Sequence, residues 1–301
     1  MKSMRLFPQP FLKPFLPLLA VFASARGYTI LVLVVAQYLS ARYILAPQRS
    51  WITHLTDYNL FFLVLASSFA IAGGYLINNF YDAEKDRINR PQQYLLHQLI
   101  STEKQLLFYS FFNGLCLLLA FLVSKKAFLF FFAYISGIWL YSHVLKKTFW
   151  ASNVFAAFLA ISPFFAISLY FDNLSTWVLY HASFLFLIIL IRDLVKDLQN
   201  FRGDWVRKYN TVAIVFGVRI TKIITTVLIM FSSIPILKLL RETEQLGWMY
   251  YYFAACIPYL IGIVVLLWKA KDQKMYLWLH NLLKALILAG VGSIVLVRYT
   301  I

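Results

Sequence analysis

Residues 58–91 read YNLFFLVLASSFAIAGGYLINNFYDAEKDRINRP, and the change of character inside this stretch decides the fold. The first part is about twenty mostly apolar residues, the length that crosses a bilayer core as a helix. From Asn78 onward the chain turns polar. Asn78, Asp82 and Asp86 recur every fourth residue. At 3.6 residues per turn such positions drift by only about 40° per step, so the three side chains form one stripe. A second stretch repeats the design. Arg192-Asp193-Leu194-Val195-Lys196-Asp197 follows another apolar run and again spaces its carboxylates by four.

The whole chain supports a membrane reading. Of its 301 residues 61% are hydrophobic and only 13% charged, far from the balance of a soluble domain. The apolar runs predict an all-α, polytopic membrane protein with nine transmembrane helices, at roughly 27–45, 58–80, 103–123, 127–145, 151–171, 176–197, 220–238, 249–268 and 277–298. No linker or low-complexity segment divides it, so residues 1–301 form one domain. Asp193 follows Asp82 by 111 residues, which is four spans. That offset predicts two pseudo-repeated four-helix halves plus a ninth helix, an arrangement common where a site lies between halves.

Residues 1–26 carry Lys2, Arg5, Lys13 and Arg26 and are interrupted by four prolines. They read as an interfacial N-terminal segment. The alternative, a signal peptide ending at Ala23-Ser24-Ala25, is the weaker reading. The net charge of +16 belongs to loops that set topology and meet anionic lipid, and no nucleic-acid partner is expected. Threaded with its N-terminus inside, the chain places about twenty Lys and Arg on the cytoplasmic face and about seven on the other. The N-terminus and both acidic stretches are then cytoplasmic, and the C-terminus lies on the opposite side. Cys116 and Cys256 lie inside apolar runs and suggest neither a disulfide nor a metal site. The five histidines are scattered.

Only twelve acidic residues occur, and Asp82, Glu84, Asp86, Asp193, Asp197 and Asp204 are six of them. Carboxylates at membrane-helix ends are costly unless compensated. At a helix C-terminus the macrodipole opposes each by about 0.3–1 kcal/mol. A positive ligand is therefore expected. Oxygen donors without Cys or clustered His select Mg²⁺ or Mn²⁺ over Zn²⁺. Mg²⁺ takes one or two carboxylates and completes its shell with water and phosphate oxygens, which points to a phosphorylated substrate. The cations Lys85, Arg87, Arg90, Arg192, Lys196, Arg202, Arg207, Lys208, Lys146 and Lys147 surround the two stretches and suit a diphosphate. The plainer alternative is a solvated helix end with pairs such as Asp82–Lys85 and Asp193–Lys196.

Asn78-x-x-x-Asp82-x-x-x-Asp86 followed by Asn89-Arg90-Pro91 resembles the first signature of the UbiA superfamily of intramembrane prenyltransferases. Arg192-Asp193-x-x-Lys196-Asp197-x-x-Asn200-x-x-Gly203-Asp204 resembles its second. Thr211-Val212-Ala213 before Gly217 and the junction with Tyr141-Ser142, Lys146 and Asn153 are similar as well. Asn200, where many relatives carry an acid, and Ser152, where a glycine is common, depart from the pattern. The resemblance implies helices around a central cavity that opens sideways to lipid. It implies Mg²⁺ bridging a polyprenyl diphosphate, with Asp82, Asp86, Asp193 and Asp197 as catalytic metal ligands. Asn78, Arg87, Lys146, Arg207 and Lys208 would contact the diphosphate. The partners implied are a polyprenyl diphosphate donor, a lipophilic acceptor and membrane lipid.

The acceptor is open at this point: an aromatic or quinone precursor, or a glyceryl-phosphate ether. The second stretch looks most like the branch that alkylates geranylgeranylglyceryl phosphate. Two other functions stand beside transfer. A UbiA-type terpene cyclase would ionise the same diphosphate and quench the cation internally. A cation-coupled transporter would need acids along a midplane path, and these acids cluster at one face.

Overall fold

The structure, a computed structural model, describes residues 22, 24–89, 94–95, 100–206 and 209–297. The segment expected at the interface, and the signal-peptide alternative, fall almost wholly outside these residues. The long helices are α1 (Gly27–Ser40, continued by a π turn Ala41–Leu45), α2 (Tyr58–Asn89), α3 (Thr102–Val123) and α4 (Lys125–His143). They continue with α5 (Ala151–Tyr170), α6 (Thr176–Val206), α7 (Val212–Arg241), α8 (Met249–Lys269) and α9 (Gln273–Ser293). No strand occurs among the described residues.

Eight of these segments are long and apolar enough to cross a membrane. The remaining one, α4, is a 19-residue helix at the expected place. Its Lys125-Lys126 start and its Tyr, Ser and His near the end keep it below that composition. Length and composition thus support eight crossings, against the nine expected. The chain is an integral membrane protein. Large apolar side chains such as Phe111, Leu118, Phe121, Leu129 and Phe132 are exposed on the outside of α3 and α4. A continuous apolar surface of this kind is stable only against lipid.

Helix contacts echo the expected repeat. In the first half α1 packs on α2, α2 on α3 and α5, α3 on α4, and α4 on α5. Four helices later, α5 packs on α6, α6 on α7 and α9, α7 on α8, and α8 on α9. The contacts of α2 with α4 and of α1 with α5 have no counterpart of similar extent in the second half among the described residues, so the halves are unequal. Two long helices, α2 and α6, form the centre and touch each other. α2 has 32 residues. At about 1.5 Å per residue it exceeds the ~30 Å hydrocarbon core by several turns. Its acidic end therefore emerges where water and ions reach it.

Between helices in lipid, close approach replaces the hydrophobic effect as the source of cohesion. α2 meets α3 and α4 through Ala66, Ala70, Gly73 and Gly74. A β-carbon on Gly73 would stand 2.9 Å from Asn113 Oδ1, and one on Gly74 3.1 Å from Ile138 Cγ2. Gly73→Leu is expected to force these helices apart at a cost of about 1–3 kcal/mol. A melting temperature in detergent several degrees below wild type checks this, and an unchanged one would contradict it. Two polar side chains inside the bundle tie helices together. The Gln37 amide donates to Ser67 Oγ and to the Pro163 carbonyl, each at 3.0 Å, locking α1, α2 and α5 together. Lys222 on α7 donates to the Ala270 carbonyl at 2.7 Å and so caps the end of α8.

Three helices run well past their expected spans: α2 to Asn89, α6 to Val206, and α7 at its start. α7 starts at Val212 and is broken at Gly217, where φ is 78° and ψ 168°. Only glycine takes that backbone without strain. The short piece before it seats Val212 and Ala213, both fully buried, beneath the end of α6.

Candidate active site

The acidic end of α2 meets the α4–α5 junction. Helix α2 runs unbroken through Asn78, Asp82 and Asp86, so the stripe read from the sequence is a real face. Lys146 lies in the 3₁₀ turn Leu145–Lys147 that ends α4. Its ammonium donates to Asn78 Oδ1 at 3.1 Å and pairs with Asp82 Oδ2. The Ser142 hydroxyl, one turn earlier, lies 2.9 Å from the same Asn78 oxygen. The Asp82 and Lys146 side chains are only 17% and 13% exposed. This pair joins α2 to the α4–α5 junction, while the side chain of Lys85, the intrahelical partner expected for Asp82, lies outside the described ones.

The same junction reaches the second stretch. Trp150 turns the chain from α4 into α5 with φ 59°, a conformation bulky residues rarely accept. Such strain persists where the surroundings hold it, often at functional sites. Three residues later, buried Asn153 donates from Nδ2 to Asp197 Oδ2 at 2.9 Å. The Asn210 amide donates to the Lys147 carbonyl at 3.3 Å and joins the α6–α7 connection to the same junction. Asp82 and Asp197 therefore sit at one end of the bundle, bridged by residues 142–153. Tyr141, half-buried, stands within electrostatic reach of Asp193, Asp82, Asp197 and Arg192 together. It marks the point where the two stretches converge.

The other expected residues are placed as follows. Asp193 pairs with the guanidinium of its neighbour Arg192 at 3.1 Å. Asp86 is half-buried one turn beyond Asp82, and Arg87 is exposed at the end of α2. Arg207 and Lys208 lie outside the described residues, as do Arg90 and Pro91. Asn200 and Asp204 are buried in the last turns of α6, Asp204 completely. Among the described residues no three His, Cys, Asp or Glu side chains gather closely enough to hold an ion alone. The donors are all oxygen, and they come in ones and twos. Such a set fits Mg²⁺, which keeps water and takes further oxygens from a phosphate.

A polar cavity of about 750 Å³ opens beside Asp193, between α1, α6, α9 and Tyr75 of α2. Arg26, Arg192, Lys196, Lys274, Lys284 and His280 line it. Sequence reasoning passed over Arg26, Tyr75, Lys274, His280 and Lys284 as site residues. Lys284 carried a signal, because a cation inside an apolar span is functional by default. Beyond Ile287, which lines both, lies an apolar cavity of about 140 Å³ between α1, α5, α6, α8 and α9.

Comparison with known proteins gives a consistent picture. Residues 33–282 match the model of the UbiA prenyltransferase family. The digeranylgeranylglyceryl phosphate synthase of Sulfurisphaera tokodaii is 30% identical over 217 residues, covering 69% of this chain and 71% of the relative. That of Thermococcus gammatolerans is 30% identical over 235 residues, covering 77% and 83%. Among solved structures, one of digeranylgeranylglyceryl phosphate synthase in membranes superposes with a TM-score of 0.70 at 20% identity, covering 92% of this chain and 97% of the other. A UbiA homolog from Archaeoglobus fulgidus bound to DMAPP and Mg²⁺ gives 0.67 at 15% identity, covering 91% and 98%.

Proposed function

This chain belongs to the UbiA prenyltransferase family, and from that premise we propose that it transfers a polyprenyl group from a prenyl diphosphate to a lipophilic acceptor inside the membrane. The donor is geranylgeranyl diphosphate and the acceptor geranylgeranylglyceryl phosphate, as the names of its relatives suggest. The observation that carries the reading is the α4–α5 junction, which ties Asp82 to Lys146 and Asp197 to Asn153 at one bundle end. The catalytic unit is the single domain 1–301. The bundle end with both acidic stretches faces the cytoplasm together with the N-terminus, and the C-terminus lies across the membrane.

In this proposal Asp82, Asp86, Asp193 and Asp197 hold Mg²⁺, with Mn²⁺ as a substitute. An ion held there would neutralise diphosphate charge and so ease departure of the leaving group. Lys146 is placed to move from Asp82 onto a diphosphate oxygen and share that role. Asn78 and Ser142 keep Lys146 on the α2 side. Asn153 orients the Asp197 carboxylate by a hydrogen bond. Arg87 adds charge at the cytoplasmic rim, and Arg207 and Lys208 are proposed as further diphosphate contacts. The apolar helix walls keep water from the allylic cation that forms as the C–O bond breaks; the acceptor hydroxyl oxygen then bonds to that carbon and its proton passes to the departed diphosphate. The apolar cavity past Ile287 takes isoprene units of the donor.

Purified protein with radiolabelled geranylgeranyl diphosphate and Mg²⁺ tests the reading. Product is expected only when geranylgeranylglyceryl phosphate is added, and excess EDTA is expected to stop turnover. Hydrocarbon formed without acceptor would instead make the chain a cyclase. Turnover only with aromatic or naphthoate acids would reassign the acceptor.

A further inference from the structure

We propose that the basic cavity between α1, α6 and α9 is the acceptor site, and that it selects an acceptor carrying a phosphate monoester, gripped by Arg26, Lys274 and Lys284 with His280. This rests on the transferase reading above and goes beyond it by assigning residues and a required charge to the second substrate.

Charge is the first argument. Among the described residues five cations and one acid, Asp193, line the cavity. Arg192 holds Asp193 at 3.1 Å, and three of the other four cations, Arg26, Lys274 and Lys284, stand on the α1 and α9 side. An aromatic acid would offer these cations a single carboxylate charge, whereas a phosphate monoester offers up to two charges and three acceptor oxygens.

Construction is the second. Asn79 on α2 donates to the Ser24 carbonyl at 2.9 Å and fixes the chain just before α1. The Arg26 guanidinium carbon then lies 4.9 Å from the Tyr75 ring centroid. A guanidinium held over a ring is a positioned donor rather than a loose surface charge.

His280 is the independent observation. It lines the cavity, is only 6% exposed, and its Nδ1 has no hydrogen-bond partner among the described residues. Buried polar atoms are almost always satisfied, and with its proton on Nδ1 this ring can donate to a ligand oxygen in the cavity.

Location completes the case. Asn78, Asp82, Lys146, Asn153 and Asp197 do not line the cavity, which touches the acidic machinery only at Asp193. An anion held there sits beside the donor diphosphate, not in its place. Tyr28, Leu277 and Leu288 line the cavity and are exposed on the lipid flank of the bundle, where the acceptor's hydrocarbon chain can remain.

The test is steady-state kinetics in nanodiscs of zwitterionic lipid, with Lys274→Ala, Lys284→Ala and the double variant. Geranylgeranyl diphosphate and geranylgeranylglyceryl phosphate are varied in turn. Each single variant is expected to raise KM for the acceptor about tenfold or more, the loss of one charge-assisted hydrogen bond. KM for the donor is expected to stay within about twofold, which also reports an intact fold. Lys→Arg at the same positions is expected to restore much of the acceptor affinity. Geranylgeranylglycerol, which lacks the phosphate, is expected to be a poor acceptor that wild type and variants use equally. A parallel rise in donor KM would overturn the proposal, because the lysines would then hold the diphosphate. Equal use of phosphorylated and unphosphorylated acceptors by wild type would overturn it as well. So would disappearance of the variant effect in anionic nanodiscs, which would assign the lysines to bulk headgroups. Absence of turnover by wild type with any acceptor would instead defeat the transferase reading itself.

Discussion

Asp82→Asn and Asp193→Asn are each expected to lower turnover of geranylgeranyl diphosphate by about a thousandfold, comparable to the loss of a principal electrostatic stabiliser. Asparagine preserves the volume and one acceptor oxygen and removes only the charge. At position 82 the Lys146 ammonium still finds Asn78 Oδ1 and the new amide oxygen, so the junction keeps its geometry. At position 193 the released Arg192 is 26% exposed and reaches solvent. Melting temperature and helical circular dichroism are therefore expected to stay close to wild type. The Mg²⁺ concentration for half-maximal activity is expected to rise at least about tenfold, since each carboxylate contributes one ligand and one charge. Both variants keeping more than a tenth of wild-type activity at ordinary Mg²⁺ would remove these residues from the metal site.

Lys146→Met is expected to lower kcat by about a hundredfold or more, the scale seen when one oxyanion donor is deleted. Methionine matches the length of the lysine stem and keeps the packing near Tyr141. The instructive readout is the metal dependence. Lys146 neutralises Asp82 in the structure, so its loss leaves that carboxylate more negative. Half-saturating Mg²⁺ is then expected to stay level or fall, opposite in sign to Asp82→Asn. A rise in both would mean that Lys146 only props the carboxylate and takes no part in diphosphate departure.

The comparison of sequence with structure turns on what each kind of interaction depends on. The spans were legible because burial in lipid is a local property of about twenty consecutive residues. α2 is where expected at its start but continues as helix to Asn89, through the acidic stretch read as its end. Hydropathy marks where the hydrocarbon stops, not where the backbone stops being helical. α7 shows the converse. It begins eight residues before the expected span and breaks at Gly217, because a positive φ is set by how the α6–α7 connection folds under α6.

Residue types and spacing by themselves determined the membrane bundle and its two acidic helix ends, and pointed to a hard cation with a phosphorylated ligand. Those features follow from composition and from 3.6-residue periodicity, which any helix expresses without neighbours. Tertiary structure decided which cation meets which acid. Lys146 reaches Asp82 across 64 residues, and Asn153 reaches Asp197 across 44. Packing also gathered Arg26, Lys274, His280 and Lys284 around one cavity. They come from the two extremes of the described chain, and only the closure of α1 and α9 against α6 sets them side by side. Charge alone could not have shown this, because in sequence these residues are indistinguishable from the basic loops that orient any membrane protein.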